Sequence, residues 1–317
     1  METIAILTGG DSAEQSISLQ SAETVLKYLD KNKYIGYIVT LKNNKYTVKD
    51  IELNIQDFSF VLANTKIIFD KVFIALHGPP AENGLIQNYF DEINIPYTSC
   101  DANVSAITFN KYKCNKKLKK YGFKTANSVL INSDKNQTKK NIQNNINLPF
   151  FVKPNQCGSS YGISKVNHKN EFNDAVHLAQ KYDTDIIVEE SLNGVEVSCG
   201  VFKNDKEIIP LPITEIVSFN DFFDYEAKYL GKSDEITPAR ISKEIYSKVQ
   251  NITKEIYSKM NLSGFCRIDY IIQKDIPYVI EINTIPGLSE NSIMPKQLAY
   301  ANIKLKDFFT LCLNNIN

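Results

Sequence analysis

Polar residues inside two apolar segments give the clearest chemical signal in the sequence. The segment "FCRIDYIIQ" contains Arg267 and Asp269, and "PYVIEIN" contains Glu281 and Asn283. Because side chains alternate between the two faces of a strand, each pair is predicted to share one face of its strand. Two adjacent antiparallel strands would then bring two carboxylates, an amide and a guanidinium together. Such oxygen ligands suit Mg²⁺ or Mn²⁺, whereas the alternative is a solvated strand face.

A second candidate is the glycine-containing segment "KPNQCGSSYGISKV" at 153–166. Its lysine precedes the glycines, so the P-loop pattern is absent. Lys153, and Lys111 at the start of an earlier helix, could contact phosphate oxygens. The backbone N–H groups of "GSSYG" could approach an anion, because glycine permits close contact. The strand and loop in "VEESLNGVE" could bind adenine and ribose, although each pattern alone is also typical of a surface turn.

The first third of the chain alternates between strands and helices. The runs "TIAILTGG", "GYIVTL" and "KVFIALHG" are predicted strands, and the helix after the first is expected to be capped by Asp11 or Ser12. A further helix is predicted to begin near Leu85. This alternation predicts an N-terminal doubly wound α/β domain with a parallel sheet over residues 1–105.

The remaining sequence is predicted to form two further α/β regions. The region 106–198 opens with one expected helix over "TFNKYKCNKKLKKYGF" and continues through the glycine-containing segment. The region 199–317 contains the candidate metal residues. Its long polar and aromatic loop, 218–240, suits a lid, since long loops without regular structure are commonly functional.

Composition restricts the class of protein. The chain has 317 residues, with 36 basic and 36 acidic side chains, so the charge balance argues against nucleic-acid binding. No apolar run approaches the roughly 18 residues of a membrane span, which predicts no membrane association. Six scattered cysteines without a C-x-x-C pair are typical of reduced thiols and of a cytoplasmic protein. Cys157, inside the glycine-containing segment, is expected to be exposed.

Several segments, taken in order, resemble the D-alanine–D-alanine ligases of the ATP-grasp superfamily. They are "GGDSAEQSISLQSA", "HGPPAENGLIQ", "KPNQCGSSYGISKV", "EESLNGVEVS", "FFDYEAKY", "TPA", "GFCRIDY" and "EINTIPGLSENSIMP", and they extend over nearly the whole chain. The resemblance implies a three-region ATP-grasp architecture. In it, two α+β lobes enclose ATP and the N-terminal domain contributes to the first D-alanine site.

The resemblance also implies a role for each matching residue. The residues implied to bind ATP are Lys111, Lys153, Ser160, Glu189, Leu192 and Glu196. Those implied to bind two Mg²⁺ (or Mn²⁺) ions are Asp269, Glu281 and Asn283.

The amino-acid substrates have implied sites of their own. Glu14 would bind the ammonium of the first D-alanine, near His77, and Ser159 and Tyr229 would link Glu14 to the lid. The remaining implied roles concern the γ-phosphate (Lys228), the reaction's oxyanion (Arg267 and the N–H of Gly287) and the second carboxylate (Ser292 and Ile293).

The sequence departs from the family pattern at two places. The pattern H-G-x-x-G-E-D-G here reads "HGPPAENG", with Ala81 for a glycine and Asn83 for an aspartate. Ala81 would be strained if that position requires a positive φ. In the lid, Phe223 replaces a common tyrosine. Tyr229 is retained, and the resemblance links it to a dipeptide product.

We therefore predict an enzyme that joins two D-alanines with ATP for peptidoglycan precursor synthesis. D-Lactate or D-serine as the second substrate is the first alternative. Another ATP-grasp carboxylate–amine ligase is the second, and a nucleotide-binding protein without turnover is the third. The resemblance further implies a homodimer.

Overall fold

The computed structural model describes residues 1–12, 14–131, 142, 146–219 and 233–316. The first part contains seven strands and three helices. The strands are β1 (Glu2–Gly9), β2 (Tyr34–Lys42), β3 (Lys45–Val48), β4 (Ile51–Glu52), β5 (Phe60–Leu62), β6 (Thr65–Ile67) and β7 (Lys71–Ile74). The helices are α1 (Gln15–Tyr28), α2 (Leu85–Glu92) and α3 (Ala102–Phe109).

The first sheet has the strand order β4-β3-β2-β1-β7. The three strands β2, β1 and β7 are parallel, as predicted, whereas β3 and β4 are antiparallel additions at one edge. Asn43 and Asn44 connect β2 to β3 with positive φ angles of 49° and 59°, which a two-residue hairpin turn requires. β5 and β6 form a separate hairpin.

The predicted cap of α1 is wrong. The helix begins at Gln15, and Glu14 occupies the capping position without a capping side-chain bond. Ser12 Oγ instead accepts the backbone N–H of Glu14, and the carboxylate of Asp11 accepts that of Asn43. Both side chains therefore order the turn before the helix and leave the helix terminus itself uncapped.

The central part consists of one antiparallel sheet and its helices. The elements are α4 (Lys111–Lys120), β8 (Ser128–Ile131), β9 (Phe150–Pro154), β10 (Ser164–Val166), a 3₁₀ turn (Lys169–Glu171), α5 (Phe172–Ala179) and β11 (Ile186–Glu190). The strand order is β10-β9-β11-β8, and α5 covers one face. The single helix predicted over 108–123 is wrong. Asn110 separates α3 from α4, and its side chain accepts the N–H of Lys113.

The last part is built around a second antiparallel sheet. Its elements are β12 (Val195–Lys203), β13 (Ile208–Pro210), β14 (Thr214–Ser218), β15 (Ser233–Ile236), α6 (Lys243–Lys259), β16 (Phe265–Gln273), β17 (Ile276–Asn283), α7 (Ile293–Tyr300) and α8 (Leu305–Asn314). The strand order is β15-β14-β12-β16-β17, and β13 also pairs with β12.

The first and last sheets share a hydrophobic core. Ile4 and Ile6 of β1 pack in one buried cluster with Phe265 of β16 and with Phe308 and Phe309 of α8. The opposite face of the last sheet packs against α6. This shared core fixes the loop that follows β17 against the first sheet.

Two predictions from composition can be compared with the structure. All six cysteines are free, which agrees with the prediction of reduced thiols. None of the helices in the described part of the chain combines the length and the apolar character needed to cross a lipid bilayer.

Candidate active site

The paired strands β16 and β17 bring the four predicted polar residues together. Arg267 lies opposite Asn283, and Asp269 lies opposite Glu281. The register shifts immediately after Asp269, and such irregularities are common beside active sites because they redirect side chains. The sequence prediction that antiparallel pairing groups these side chains is confirmed.

Asp269 accepts hydrogen bonds from four donors. It is buried, and its Oδ1 accepts Arg267 Nε at 2.9 Å and Ser198 Oγ at 2.5 Å. Its Oδ2 accepts Arg267 Nη2 at 2.8 Å and Asn283 Nδ2 at 3.0 Å. Four donors on one carboxylate hold it in a single orientation. Ser198 is a contact that the sequence did not identify.

The donor set fits a hard cation. Asp269, Glu281 and Asn283 supply carboxylate and amide oxygens from directly paired positions, which is the chemistry that Mg²⁺ and Mn²⁺ prefer. The described residues contain no group of three His, Cys, Asp or Glu side chains placed to hold a metal. Because only two residues of the set are carboxylates, the remaining ligands of a cation would include substrate oxygens, which is typical of Mg²⁺.

A buried ion pair lies in the central sheet. Lys153 on β9 and Glu189 on β11 are neighbours on antiparallel strands, and Lys153 Nζ donates to Glu189 Oε2. Asn115 on α4 donates from Nδ2 to Glu189 Oε1 at 2.8 Å. Both charged side chains are more than nine-tenths buried. Lys153 therefore has a fixed position at the start of the glycine-containing segment.

The glycine-containing segment reaches the start of α1. Ser159 and Ser160 have positive φ angles of 47° and 59°, an uncommon conformation that clusters at functional sites. Ser159 Oγ donates to Glu14 Oε1. A Cβ atom on Gly158 would lie 2.7 Å from Glu14 Oε2, so the glycine is what allows the carboxylate to approach. The predicted contact between Ser159 and Glu14 is present.

Lys111 anchors the same segment from α4. Its Nζ donates to the backbone carbonyl of Cys157 at 2.6 Å, and its backbone N–H donates to the carbonyl of Asn155. The expected exposure of Cys157 is wrong, because the side chain is partly buried. Burial raises the pKa of the Cys157 thiol, which disfavours the reactive thiolate.

His77, predicted to lie near the first substrate, is buried. Its ring Nδ1–H donates to the carbonyl of Ile285 at 2.9 Å, and Nε2 accepts the hydroxyl of Ser21 at 2.9 Å. Ser21 Oγ in turn accepts the N–H of Leu288. Burial lowers the pKa of His77, so the ring is neutral. These bonds join α1 to the loop that contains Gly287, and direct contact of the ring with a substrate stays a prediction.

The predicted second-substrate residues lie at the start of α7. Ser292 occupies the N-cap position, and Ile293 is the first residue of the helix. Ser292 Oγ lies 2.7 Å from Ser289 Oγ, and a Cβ atom on Gly287 would lie 2.9 Å from Ser292 Oγ. Gly287 is thus adjacent to this helix terminus. A helix N-terminus favours anions such as carboxylates.

The predicted adenine and ribose residues follow β11. Leu192 is half-buried in the connection to β12, and Glu196 is the second residue of β12, opposite Ile271. They lie at the junction between the central and last sheets. The carboxylate of Glu189, which was predicted to face adenine, is bonded to Lys153 and Asn115. A contact between Glu189 and adenine stays a prediction.

A cavity connects residues that were predicted to bind phosphate, metal and the first substrate. Its lining includes Glu82, Lys111, Gly158, Glu281 and Asn283. Burial is the main reason that the pKa of Glu82 rises to about 8, and the nearby Glu14 carboxylate raises it further. Sequence analysis assigned no role to Glu82, although its position in "HGPPAENG" was a signal. The cavity brings together residues from all three regions of the chain.

Comparisons with known proteins agree with this arrangement. Residues 117–313 match the family described as "D-ala D-ala ligase C-terminus". The protein named D-alanine–D-alanine ligase from Flavobacterium johnsoniae is 48% identical over 98% of each chain. The chain belongs to the D-alanine–D-alanine ligase family.

Solved structures of this ligase family have the same fold. The VanG D-Ala:D-Ser ligase from Enterococcus faecalis is 29% identical, with a TM-score of 0.87, and covers 99% of this chain and 98% of its own. The D-alanine–D-alanine ligase from Bacillus anthracis is 26% identical, with a TM-score of 0.82, and covers 99% and 97%. The ATP-grasp architecture predicted from the sequence is confirmed.

The departures of this chain from the ligase-family pattern can now be located. Ala81 is buried and its φ is not positive, so the strain considered for it is absent. The side chain of Asn83 accepts the N–H of Leu85 at the start of α2. Lys228 and Tyr229, predicted to act from the lid, lie outside the described residues, as do Phe223 and most of the segment 218–240.

Proposed function

We propose that this protein joins two D-alanine molecules to D-alanyl-D-alanine with ATP, through an acyl-phosphate intermediate. We refer to Asp269, Glu281 and Asn283 as the metal-type site. The observation that carries the proposal is one cavity lined both by Glu281 and Asn283 of this site and by Lys111 and Gly158. The carboxylate of Glu14 lies next to Gly158. An amino-acid carboxylate held beside Glu14 would therefore lie close to groups that bind phosphate.

The first step transfers a phosphoryl group. One carboxylate oxygen of the first D-alanine attacks the γ-phosphorus of ATP, the bond to the bridging oxygen breaks, and ADP leaves. Glu14, held by Ser159, would bind the ammonium and so orient the carboxylate. Lys111, Lys153, Ser160 and Lys228 would hold the phosphates, while Glu189, Leu192 and Glu196 would surround the adenosine.

Asp269, Glu281 and Asn283 would hold two Mg²⁺ or Mn²⁺ ions. Divalent cations on phosphate oxygens offset the negative charge that accumulates when one anion attacks another.

The second step forms the amide bond. The amine of the second D-alanine attacks the acyl carbon, loses a proton, and phosphate leaves. Arg267 and the N–H of Gly287 would stabilise the tetrahedral oxyanion. Ser292 and Ile293, at the N-terminus of α7, would bind the second carboxylate. Tyr229 would join the lid to Glu14 and exclude water from the acyl phosphate.

We extend the proposal to the setting of the protein. The dipeptide would serve peptidoglycan precursor synthesis in the cytoplasm, and the enzyme would act as a homodimer. The regions 1–105, 106–198 and 199–317 would be its three domains. The identity of 48% and 41% to two relatives named D-alanine–D-alanine ligase supports D-alanine over D-serine as the second substrate.

Phosphate release measured with D-alanine, with L-alanine and without an amino acid tests the assignment. Turnover should require D-alanine, and a rate of ATP hydrolysis independent of D-alanine would refute the ligase function. Glu281→Gln should abolish turnover by removing a metal ligand, and full activity of this variant would refute the metal site. Product analysis with equal D-alanine, D-serine and D-lactate should yield mainly D-alanyl-D-alanine.

A further inference from the structure

Gln297 on α7 makes an unusual set of contacts for a helix side chain. It is fully buried, and its Nε2 donates to the carbonyl of Ser198 at 2.8 Å and to Thr214 Oγ1 at 3.0 Å. Its Oε1 accepts the N–H of Gly200 at 2.9 Å. The side-chain amide thus bonds to β12 through both its oxygen and its nitrogen, and to β14 through its nitrogen.

A break in the sheet explains why β12 needs this amide. On the edge of β12 that faces away from β16, β14 pairs with residues 196–198 and β13 with residues 201–203. Among the described residues, no strand pairs with positions 199–200 along this edge. The carbonyl of Ser198 and the N–H of Gly200 face this break. Buried backbone groups require hydrogen-bond partners. The side-chain amide of Gln297 takes the place of a backbone peptide group from a neighbouring strand, because its oxygen accepts from Gly200 and its nitrogen donates to Ser198.

Gly200 is shaped to receive the glutamine. A Cβ atom at this position would lie 2.6 Å from Gln297 Oε1 and 3.5 Å from Met294 Cγ, both on α7, and 2.8 Å from Leu211 Cδ1. The absence of a side chain at Gly200 therefore sets how closely the helix approaches the strand.

The two elements joined by Gln297 carry different parts of the reaction. α7 begins at Ser292 and Ile293, one turn before Gln297, where the second carboxylate is proposed to bind. On β12, Ser198 bonds to Gln297 through its backbone carbonyl and to Asp269 through its hydroxyl. A shift of α7 would change the distance between the second amino acid and the metal-type site.

We propose that Gln297 is a positioning residue for the second amino acid, because it fixes α7 on the strand that orients Asp269. The proposal rests on the proposed function and deepens it. Its consequence is selective: a loosened α7 weakens the site for the second D-alanine, while the nucleotide and first-substrate sites, built on other elements, keep their affinity.

Two variants test this proposal through Michaelis constants, which do not depend on the amount of active enzyme. Gln297→Met keeps a similar volume but removes all three hydrogen bonds. Gly200→Ala keeps the glutamine side chain but places a methyl group 2.6 Å from its Oε1, so α7 can no longer pack as closely on β12. Initial rates over a wide D-alanine range give separate constants for the two amino-acid sites. We expect each variant to raise the constant for the second D-alanine about tenfold, equivalent to about 1.4 kcal/mol. The constants for ATP and the first D-alanine should change less than about twofold.

Gln250→Met is the matched control. Gln250 lies on α6 and donates to the carbonyl of Leu211 at the same break in the sheet, but α6 carries none of the proposed second-substrate residues. Loss of the Gln250 amide should leave the Michaelis constant for the second D-alanine unchanged. Equal increases in all constants, or an unchanged second constant in Gly200→Ala, would overturn the proposal even if Gln297→Met gave no folded protein. A wild-type enzyme without D-alanine-dependent turnover would instead refute the proposed function.

Discussion

Replacement of Glu189 by glutamine tests whether the buried ion pair between Glu189 and Lys153 positions Lys153 to bind phosphate. The change is nearly isosteric, and the amide oxygen can still accept the bond from Asn115. The second oxygen, however, becomes an N–H₂ group that faces the ammonium of Lys153. The variant therefore leaves a buried positive charge without its counter-ion.

The expected loss of stability is large because the pair is so well buried. Side-chain exposure is 9% for Lys153 and 5% for Glu189. Removing one partner of such a pair typically costs about 3–5 kcal/mol, which corresponds to a decrease in Tm of at least about 5 °C for a chain of this length. The control is Glu255→Gln, which breaks the exposed pair between Glu255 and Lys259 and should cost less than about 0.5 kcal/mol.

Thermal unfolding with and without ADP or a non-hydrolysable ATP analogue distinguishes the function of the pair from its contribution to stability. If nucleotide phosphates contact Lys153, they supply the missing counter-charge. The nucleotide should then raise the Tm of Glu189→Gln by more than it raises the wild-type Tm. Adding Lys153→Met to Glu189→Gln should recover part of the stability and remove that extra increase. Equal nucleotide effects in Glu189→Gln and in the double variant, which differ only at Lys153, would refute the role of Lys153 in phosphate binding.

Two further predictions concern residues that line the cavity, and a third concerns the contact between Arg267 and Asp269. Gly158→Ala should raise the Michaelis constant for the first D-alanine at least tenfold, because the added Cβ would lie 2.7 Å from the Glu14 carboxylate. Glu82 keeps its proton up to about pH 8 in the folded state, whereas the unfolded chain releases it near pH 4.5. The free energy of unfolding should therefore fall between pH 5 and 8 by about 3 kcal/mol more in wild type than in Glu82→Gln, measured by urea denaturation. Arg267→Lys cannot make the two-nitrogen contact with Asp269, and we expect kcat to fall about 100-fold or more.

Local patterns were enough to predict that Arg267, Asp269, Glu281 and Asn283 lie together. Polar residues at alternate positions in two apolar strands, separated by a short turn, allow one simple antiparallel pairing, and β16 and β17 adopt it. The glycine-containing segment carried a comparable local signal, since glycine permits a close approach such as that of the Glu14 carboxylate to Gly158. The link between Ser159 and Glu14 spans 145 positions, and only the resemblance to the family indicated it.

The features that sequence analysis missed depend on distant contacts or on competing local signals. The apolar spacing continues through Asn110, so periodicity gave no sign of the helix break, and the capping preference of asparagine was the overlooked cue. The asparagine pair at 43–44 was a comparable cue for the β2–β3 hairpin. Gln297 carries no local signal, because its role exists only where β13 and β14 separate along β12.

The bonds among the charged side chains indicate why metal and nucleotide binding should depend on each other. A cation on the Asp269 carboxylate would compete with the two bonds that it accepts from Arg267. In the proposed function, phosphate oxygens near Arg267 would offset that competition, and they would also compete with Glu189 for Lys153. A cation alone would weaken the contact between Asp269 and Arg267, while phosphates alone would add negative charge beside Asp269 and Glu281. Each ligand therefore removes the electrostatic penalty of the other, and the coupling is a property of side chains that are already paired with one another.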